Sequence, residues 1–327
     1  MDLIFCGTPE FAVPTLEKLV SAGHEVQLVV TQPDRPRGRG MELALSPVKR
    51  KALELGLPVI QPDKIKENLE FRARLEAITP EAIIVVGYGR IIPGWMLDLP
   101  KHGNINLHAS LLPKYRGAAP IQWAIARGET VTGVTTMLLN AGLDTGDILL
   151  QEELAIAPDD TALALAPRLA AIGANLMLET LRGLAAATIV PRPQKHEEAT
   201  LAPILRKEDG RIDFARSATE IFNRLRGFQP WPGAYTSFRG KNLALYSGTP
   251  RELTPSQAQK RPLPPTPHGA LSPGVLAVEA DALLAGCGGQ TAFEILELQL
   301  EGKRRMTARE FINGYRPRAG EKLGEAG

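Results

Sequence analysis

The 327-residue chain predicts an α/β protein with a mostly parallel sheet, followed by a smaller β-rich domain. Three observations carry that expectation. Through the first half, short apolar runs alternate with stretches whose apolar residues recur at helical spacing. One long Ala/Leu-rich stretch, residues 162–184, reads as a single helix that closes this half. Beyond it the pattern changes to short alternating pieces separated by turn residues.

Taken in order, residues 3–6 read as a buried strand ending at Gly7. Residues 10–22 space Phe11, Val13, Leu16, Leu19 and Val20 as one helical face, with Gly23 as a C-cap. A strand at 26–31, a helix at 46–56 and a short strand at 59–60 follow. A charged helical stretch at 64–77 leads to strands at 82–86, 104–108 and 132–139. In open sheets of this kind the ligand sits at the carboxyl ends of the strands, near a switch in strand order. Pro191 and Pro193 mark a linker, so we expect domains at 1–190 and 204–327 joined by 191–203. In the second domain strands are expected at 211–214, 234–238, 242–246, 275–279 and 293–300, with one helix at 217–227. The proline-dense residues 249–274 read as a loop.

Composition narrows the class. The chain is 44% hydrophobic and 23% charged, with no stretch read as a bilayer span and no basic leader before an apolar run. That pattern is expected of a cytoplasmic protein. Cys6 and Cys287 make neither a disulfide framework nor a zinc site, and His24, His102, His196 and His268 lack ligand spacing, so no metal is expected. Residues 1–203 carry 20 Lys and Arg against 23 Asp and Glu, a net of −3, whereas residues 204–327 carry 18 against 13, a net of +5. The second domain is the better candidate for a polyanionic partner, although ordinary solubilising charge gives the same asymmetry.

Chemistry gathers in Asn104-Ile105-Asn106-Leu107-His108-Ala109-Ser110-Leu111-Leu112-Pro113, followed by Lys114-Tyr115-Arg116-Gly117-Ala118-Ala119-Pro120. Asn106 and His108 share one face of a strand by its period of two. A carboxamide beside an imidazole at a strand end can polarise a carbonyl and stabilise an oxyanion. The same residue types also serve turns and local hydrogen bonds. A second element, Gly142-Leu143-Asp144-Thr145-Gly146-Asp147, makes a tight loop able to aim a carboxylate, or a plain surface turn. Gly7-Thr8-Pro9 lacks the spacing of a dinucleotide fingerprint.

These two segments, in this order and at this spacing, resemble the folate-dependent formyltransferases. The likeness extends over nearly the whole chain to the members that act on methionyl-tRNA. It includes Phe5-Cys6-Gly7-Thr8-Pro9-Glu10-Phe11, the run Thr31-Gln32-Pro33-Asp34-Arg35-Pro36-Arg37-Gly38-Arg39-Gly40, Lys207-Glu208-Asp209-Gly210-Arg211-Ile212-Asp213, and Phe228-Gln229-Pro230-Trp231-Pro232-Gly233-Ala234. The resemblance implies a Rossmann-like catalytic domain and an OB-like barrel domain. It implies Asn106, His108 and Asp144 as the catalytic set, with folate beside Ser110, Leu111, Leu112 and Pro113. Gly89, Arg90, Ile91 and Ile92 would line the pterin pocket. The implied donor is 10-formyltetrahydrofolate and the implied acceptor is initiator methionyl-tRNA, with an amino sugar or nucleotide sugar as the alternative. A monomer is expected on the same ground. Arg35, Arg37 and Arg39 lie in an inserted basic loop that the family directs at the acceptor end, and Lys207, Arg211, Lys303 and Arg304 are further candidates for the RNA path. Where relatives usually carry Lys or Arg after Gly-Arg-Gly, this chain has Met41-Glu42-Leu43. Trp231 and Phe228 are expected to pack rather than to stack on bases.

Overall fold

The computed structural model describes residues 1–37, 42–252, 271–279, 281–318 and 320–324. Strands β1 (Asp2–Gly7), β2 (Glu25–Val30), β3 (Arg35–Arg37), β4 (Glu42–Ala44), β5 (Val59–Ile60), β6 (Ala82–Val86), β7 (Asn104–His108), β8 (Val131–Leu138) and β9 (Ile148–Ala155) occupy the first half. Helices α1 (Val13–Ser21), α2 (Pro47–Glu54), α3 (Leu69–Ile78), α4 (Gly94–Leu97), α5 (Pro120–Ala126) and α6 (Ala162–Ala185) lie between and after them. The main sheet runs β5-β2-β1-β6-β7-β8-β9. It is parallel from β5 to β7, and β8 and β9 add antiparallel to its edge. The chain winds outward from β1 to β2 and β5, then returns to place β6 on the other side of β1. The carboxyl ends of β1 and β6 therefore flank the switch in strand order, where an α/β sheet opens a crevice.

Local chemistry explains the deviations from expectation. The helix expected at 10–22 begins as a 3-10 turn, Glu10–Ala12, and becomes α-helical only at Val13, with Pro14 in its first turn. The charged 64–77 stretch is helical only from Leu69, because Asn68 caps it by accepting from the Phe71 amide at 2.9 Å. β9 was not expected: its apolar start, Ile-Leu-Leu, runs into the polar Gln-Glu-Glu-Leu-Ala, which an edge strand with an exposed face accommodates. α6 is long and apolar enough by length and composition to cross a membrane, yet half of that window is buried and it serves as a core helix. Gly173 lets it approach β7, since a Cβ there would stand 2.7 Å from a Leu107 methyl. The Thr180 and Thr136 hydroxyls meet at 2.7 Å and fix α6 against β8.

The chain divides into two units, the first comprising Met1–Ile121, Val131–Ile156 and Ala164–Pro203 and the second Gln122–Thr130, Ala157–Leu163 and Ile204–Gly327. The 191–203 stretch, expected as a linker, thus falls within the first unit. Ile148 and Arg192 exchange two backbone hydrogen bonds, and Arg116 bridges Leu201.

The second unit is an antiparallel sheet, β10 (Ala234–Phe238), β11 (Lys241–Glu252), β12 (Leu276–Glu279), β13 (Ala282–Cys287), β14 (Thr291–Leu300) and β15 (Met306–Thr307), with α7 (Ala218–Gly227) and α8 (Ala308–Tyr315). Its order is β10-β11-β14-β13-β12, and β15 pairs with β14. Its core gathers Phe238, Phe293, Phe311, Ile221, Leu225 and Leu298. Residues 211–214, expected as a strand, make a single bridge, Arg211 to Tyr235. β11 extends through Thr249–Glu252, which pair with β14, so the expected 249–274 loop begins later; residues 253–270 lie outside the described residues. Phe228 is 1% exposed and meets Trp123 edge-on at 5.2 Å, as packing predicts, but Trp231 is 54% exposed.

Candidate active site

β7 is buried along its whole length although it carries Asn104, Asn106 and His108. Such polar groups stay in a buried strand only where they have partners or work to do. Asn104 is satisfied on its amide side by the Met96 and Leu97 carbonyls, at 2.8 and 3.0 Å. Asn106 and His108 face the same way, opposite Met137 and Thr135 of β8. His108 Nε2 lies 2.9 Å from the Tyr115 carbonyl oxygen, which can only accept, so Nε2 carries a proton and donates it. The other nitrogen, Nδ1, stands 3.7 Å from Asp144 Oδ2. His108 and Asp144 are thus brought together, and Asn106 shares the His108 face of β7.

Asp144 is held in the left-handed region at φ 50°, and its Oδ2 accepts the Gly117 amide at 2.8 Å. Its loop is tight for steric reasons. A Cβ on Gly146 would stand 1.7 Å from the Leu138 carbonyl oxygen, so only glycine allows the chain to turn against β8 there. Asn140 Oδ1 accepts from Gly142 N and Thr145 Oγ1 and closes the same turn.

Ser110, Leu111, Leu112 and Pro113 follow β7 directly. Thr135 Oγ1 donates to the Ser110 carbonyl at 2.6 Å, and accepts from Leu112 N at 3.1 Å. Gln151 donates to the Leu112 carbonyl at 2.9 Å. The Ser110 hydroxyl turns back to the Lys114 carbonyl at 2.6 Å, and the residue is fully buried. Its side chain therefore shapes the loop, and Leu111 and Pro113 are the partly buried side chains of the segment.

Gly89, Arg90, Ile91 and Ile92 lie past the carboxyl end of β6, at the strand-order switch. Gln32 Nε2 donates to the Tyr88 carbonyl at 2.9 Å and to the Gly89 carbonyl at 3.2 Å, and so ties the end of β2 to this loop. Arg90 donates to the Asp63 carbonyl. Ile91 is 89% exposed and Ile92 packs on the core, so the loop presents one apolar side chain outward.

The basic stretch expected as an inserted loop contains paired strands. β3 and β4 pair Arg35 with Ala44, Pro36 with Leu43 and Arg37 with Glu42. Arg35 is exposed and reaches Gln32 Oε1 at 3.5 Å; Arg39 lies outside the described residues. The root is fastened by Asp34, which accepts from Lys49 and from Gln61 at 2.8 Å. Burial alone pushes the Asp34 carboxyl up, but the hydrogen bonds from Lys49 and Gln61 outweigh it and hold it below its ordinary range.

In the second unit Lys207, Arg211, Lys303 and Arg304 are all exposed. One row of register links Arg211 to Tyr235, Tyr235 to Ala244 and Ala244 to Gln299, and Gln299 donates to the Lys303 carbonyl at 2.7 Å. At about 4.8 Å per strand the two basic runs stand a few strand spacings apart on one sheet. Arg304 is paired with Glu310, and Arg305 with Glu297 while lying over the Tyr246 ring. Lys207, Arg211 and Lys303 make no ion pair among the described residues.

Sequence reasoning passed over Arg116 and Gln194. Arg116 was visible inside the motif that follows Pro113, but nothing in the sequence says that it is 7% exposed. Gln194 lies between a proline and a run of charged residues and read as linker.

A mostly parallel sheet whose strand β7 carries Asn106 and His108, with the Asp144 carboxylate 3.7 Å from the imidazole, followed in the chain by an antiparallel unit, is an arrangement suited to group transfer at a carbonyl carbon. The chain belongs to the formyl transferase family: the sequence model described as "Formyl transferase" matches residues 1–181, and that described as "Formyl transferase, C-terminal domain" matches residues 204–316. It is 65% identical over 324 residues to a protein of Koribacter versatilis named methionyl-tRNA formyltransferase, covering 99% of each chain. A protein of the same name from Acidobacterium capsulatum is 61% identical over 314 residues, covering 96% of each. Among solved structures, the sugar 3N-formyl transferase WlaRD, solved in the presence of dTDP and 5-N-formyl-THF, shares the fold with a TM-score of 0.63 at 16% identity, over 93% of this chain and 99% of that one. A methionyl-tRNA formyltransferase from Clostridium thermocellum shares it with a TM-score of 0.54 at 19% identity, over 76% and 93%.

Proposed function

We propose that the protein transfers the formyl group of 10-formyltetrahydrofolate to the α-amino group of methionyl initiator tRNA, giving N-formylmethionyl-tRNA for translation initiation. What carries the reading is the meeting of His108 with Asp144, 3.7 Å apart, on the Asn106 side of β7, in a chain 65% identical end to end to a protein named for this reaction. The amine must be neutral to attack, and an α-amino group with a pKa of about 8 supplies enough of that form at neutral pH. Attack on the formyl carbon makes a tetrahedral oxyanion. The Asn106 amide donates to it, an interaction stronger in the transition state than in the substrate. Because Nε2 of His108 is committed to the Tyr115 carbonyl, Nδ1 is the nitrogen left for the reacting centre. With Nε2 protonated, Nδ1 is the ring atom turned toward the Asp144 carboxylate and the reacting centre. Asp144, or a water that it holds, accepts the proton leaving the amine; the oxyanion then re-forms the carbonyl, the bond from the formyl carbon to N10 breaks, and the proton passes to N10 of the departing tetrahydrofolate.

The folate lies along Ser110–Pro113 and the Gly89–Ile92 loop, and the RNA follows Arg35, Arg37 and Arg39 and the basic residues of the second unit. The reading carries with it a cytoplasmic, monomeric enzyme that works without a metal. The test is a comparison of acceptors with formyl-labelled donor. Label should enter methionyl-tRNA, not a nucleotide-linked amino sugar. Label transferred to the sugar, or released as formate in buffer alone, would overturn the assignment of the acceptor.

A further inference from the structure

We propose that Gln194 is a positioning residue that fixes the Asp144 carboxylate, which makes the segment expected as a linker part of the catalytic wall. The inference rests on the reading of Asp144 given above. Asp144 adopts φ 50°, a region disfavoured for a residue with a Cβ. Such a conformation persists only where its surroundings over-determine it. Gly117 N holds the carboxylate at 2.8 Å. Gln194 Nε2 holds the backbone, donating to the Asp144 carbonyl at 2.9 Å and to the Gly146 carbonyl at 2.7 Å.

The direction of the Gln194 amide is not free. Its Oε1 accepts from Arg116 Nε at 3.1 Å and from Arg116 Nη2 at 2.7 Å. A guanidinium only donates and a carbonyl only accepts, so the amide can be placed one way round. Both of its protons and both of its lone pairs are then used, at a residue 5% exposed. Arg116 is anchored in turn: its amide donates to the Thr200 carbonyl at 2.8 Å and its carbonyl accepts from Ala202 N at 2.7 Å. Its neighbours in sequence are Tyr115, whose carbonyl accepts from His108 Nε2, and Gly117, whose amide donates to the Asp144 carboxylate. These hydrogen bonds, the Tyr115–Arg116 peptide link and the 3.7 Å approach of His108 to Asp144 close a ring that runs His108, Tyr115, Arg116, Gln194, Asp144 and back to His108. Gln194 is the one member of it outside the motifs that carry the chemistry.

Without the Gln194 amide, the Asp144 backbone is free to leave the left-handed region and carry its carboxylate away from His108. A shift of about 1 Å in a reacting group is enough to cost about a hundredfold in rate. The experiment measures kcat and KM for Gln194→Ala, Gln194→Glu, Asp144→Asn and the double variant Gln194→Ala/Asp144→Asn. Gln194→Glu keeps acceptors for Arg116 and loses both donors, so it carries the test if Gln194→Ala does not fold. Either single variant should lower kcat about ten- to hundredfold with KM for donor and tRNA nearly unchanged. The double variant should be no slower than Asp144→Asn alone, since Gln194 acts through Asp144. A wild-type kcat in either Gln194 variant, or a double variant slowed by the full Gln194→Ala factor beyond Asp144→Asn, overturns the proposal. If Asp144→Asn itself keeps the wild-type rate, the catalytic reading fails and the inference falls with it; a slow Asp144→Asn beside a normal Gln194→Ala sinks the inference alone.

Discussion

Asn106 and His108 lie on one face of β7 and are nearly buried, at 8% and 6% exposure. A buried amide donor aimed at a forming oxyanion acts without solvent reorganisation, and loss of one such donor elsewhere lowers kcat by about 10²–10³. Asn106→Ala is expected to lower kcat in that range while folate binding persists, as steady-state kinetics and donor titration would show; a loss under about tenfold would contradict the role. Gly146→Ala should also lower kcat, by about tenfold or more, because its methyl must push the Asp144 loop off the Leu138 carbonyl. The same kinetics beside a thermal melt would check it, and wild-type turnover in this variant would show that the loop tolerates the shift. The shared face of Asn106 and His108 was legible from a period of two. That Nδ1 is the nitrogen turned toward Asp144 was not, because the Tyr115 carbonyl that claims Nε2 is positioned by Thr200, 85 residues away, through a hydrogen bond from the Tyr115 amide.

At the scale of elements, the basic stretch around Arg35–Arg37 is a strand pair rooted by Asp34, Lys49 and Gln61 rather than a loose loop. A fixed root costs less ordering on binding than a flexible loop would. Replacing Arg35, Arg37 and Arg39 by alanine should weaken tRNA binding and flatten its salt dependence, by about one in slope for each phosphate no longer neutralised. An unaltered slope in binding isotherms across salt concentrations would place the RNA elsewhere. In the second unit, α8 presents Phe311 to the core, 5.1 Å from Phe238. Phe311→Ala should destabilise this unit by about 3–5 kcal/mol, read from urea unfolding, and a change under about 1 kcal/mol would contradict its core role. α8 escaped notice although Thr307-Ala308-Arg309-Glu310 is a capping-box pattern, realised with Glu310 Oε2 accepting from Thr307 N at 2.8 Å. β9 and β13 escaped for opposite reasons: one is a polar edge strand, the other, Ala-Leu-Leu-Ala-Gly-Cys, is apolar without alternation.

For the whole molecule, the sequence order of apolar runs was enough to read a parallel sheet and a β-rich unit after it. It was not enough to place the last two strands of the first sheet, since antiparallel addition depends on how the chain returns rather than on local pattern. Nor did it show that residues 194–202 belong to the wall of the candidate site, because a proline-flanked polar stretch looks like a linker until its partners at 115–119 are seen. The charge asymmetry, −3 before residue 204 and +5 from there on, was visible throughout and places the excess of basic residues in 204–327. Formylation of an aminoacyl amine carried on tRNA is tested most directly by incubating the protein with 10-formyltetrahydrofolate and initiator tRNA, charged with methionine in one tube and uncharged in the other. N-formylmethionine should appear only with the charged tRNA; tetrahydrofolate released equally in both tubes, with no formylmethionine in either, would contradict the assignment.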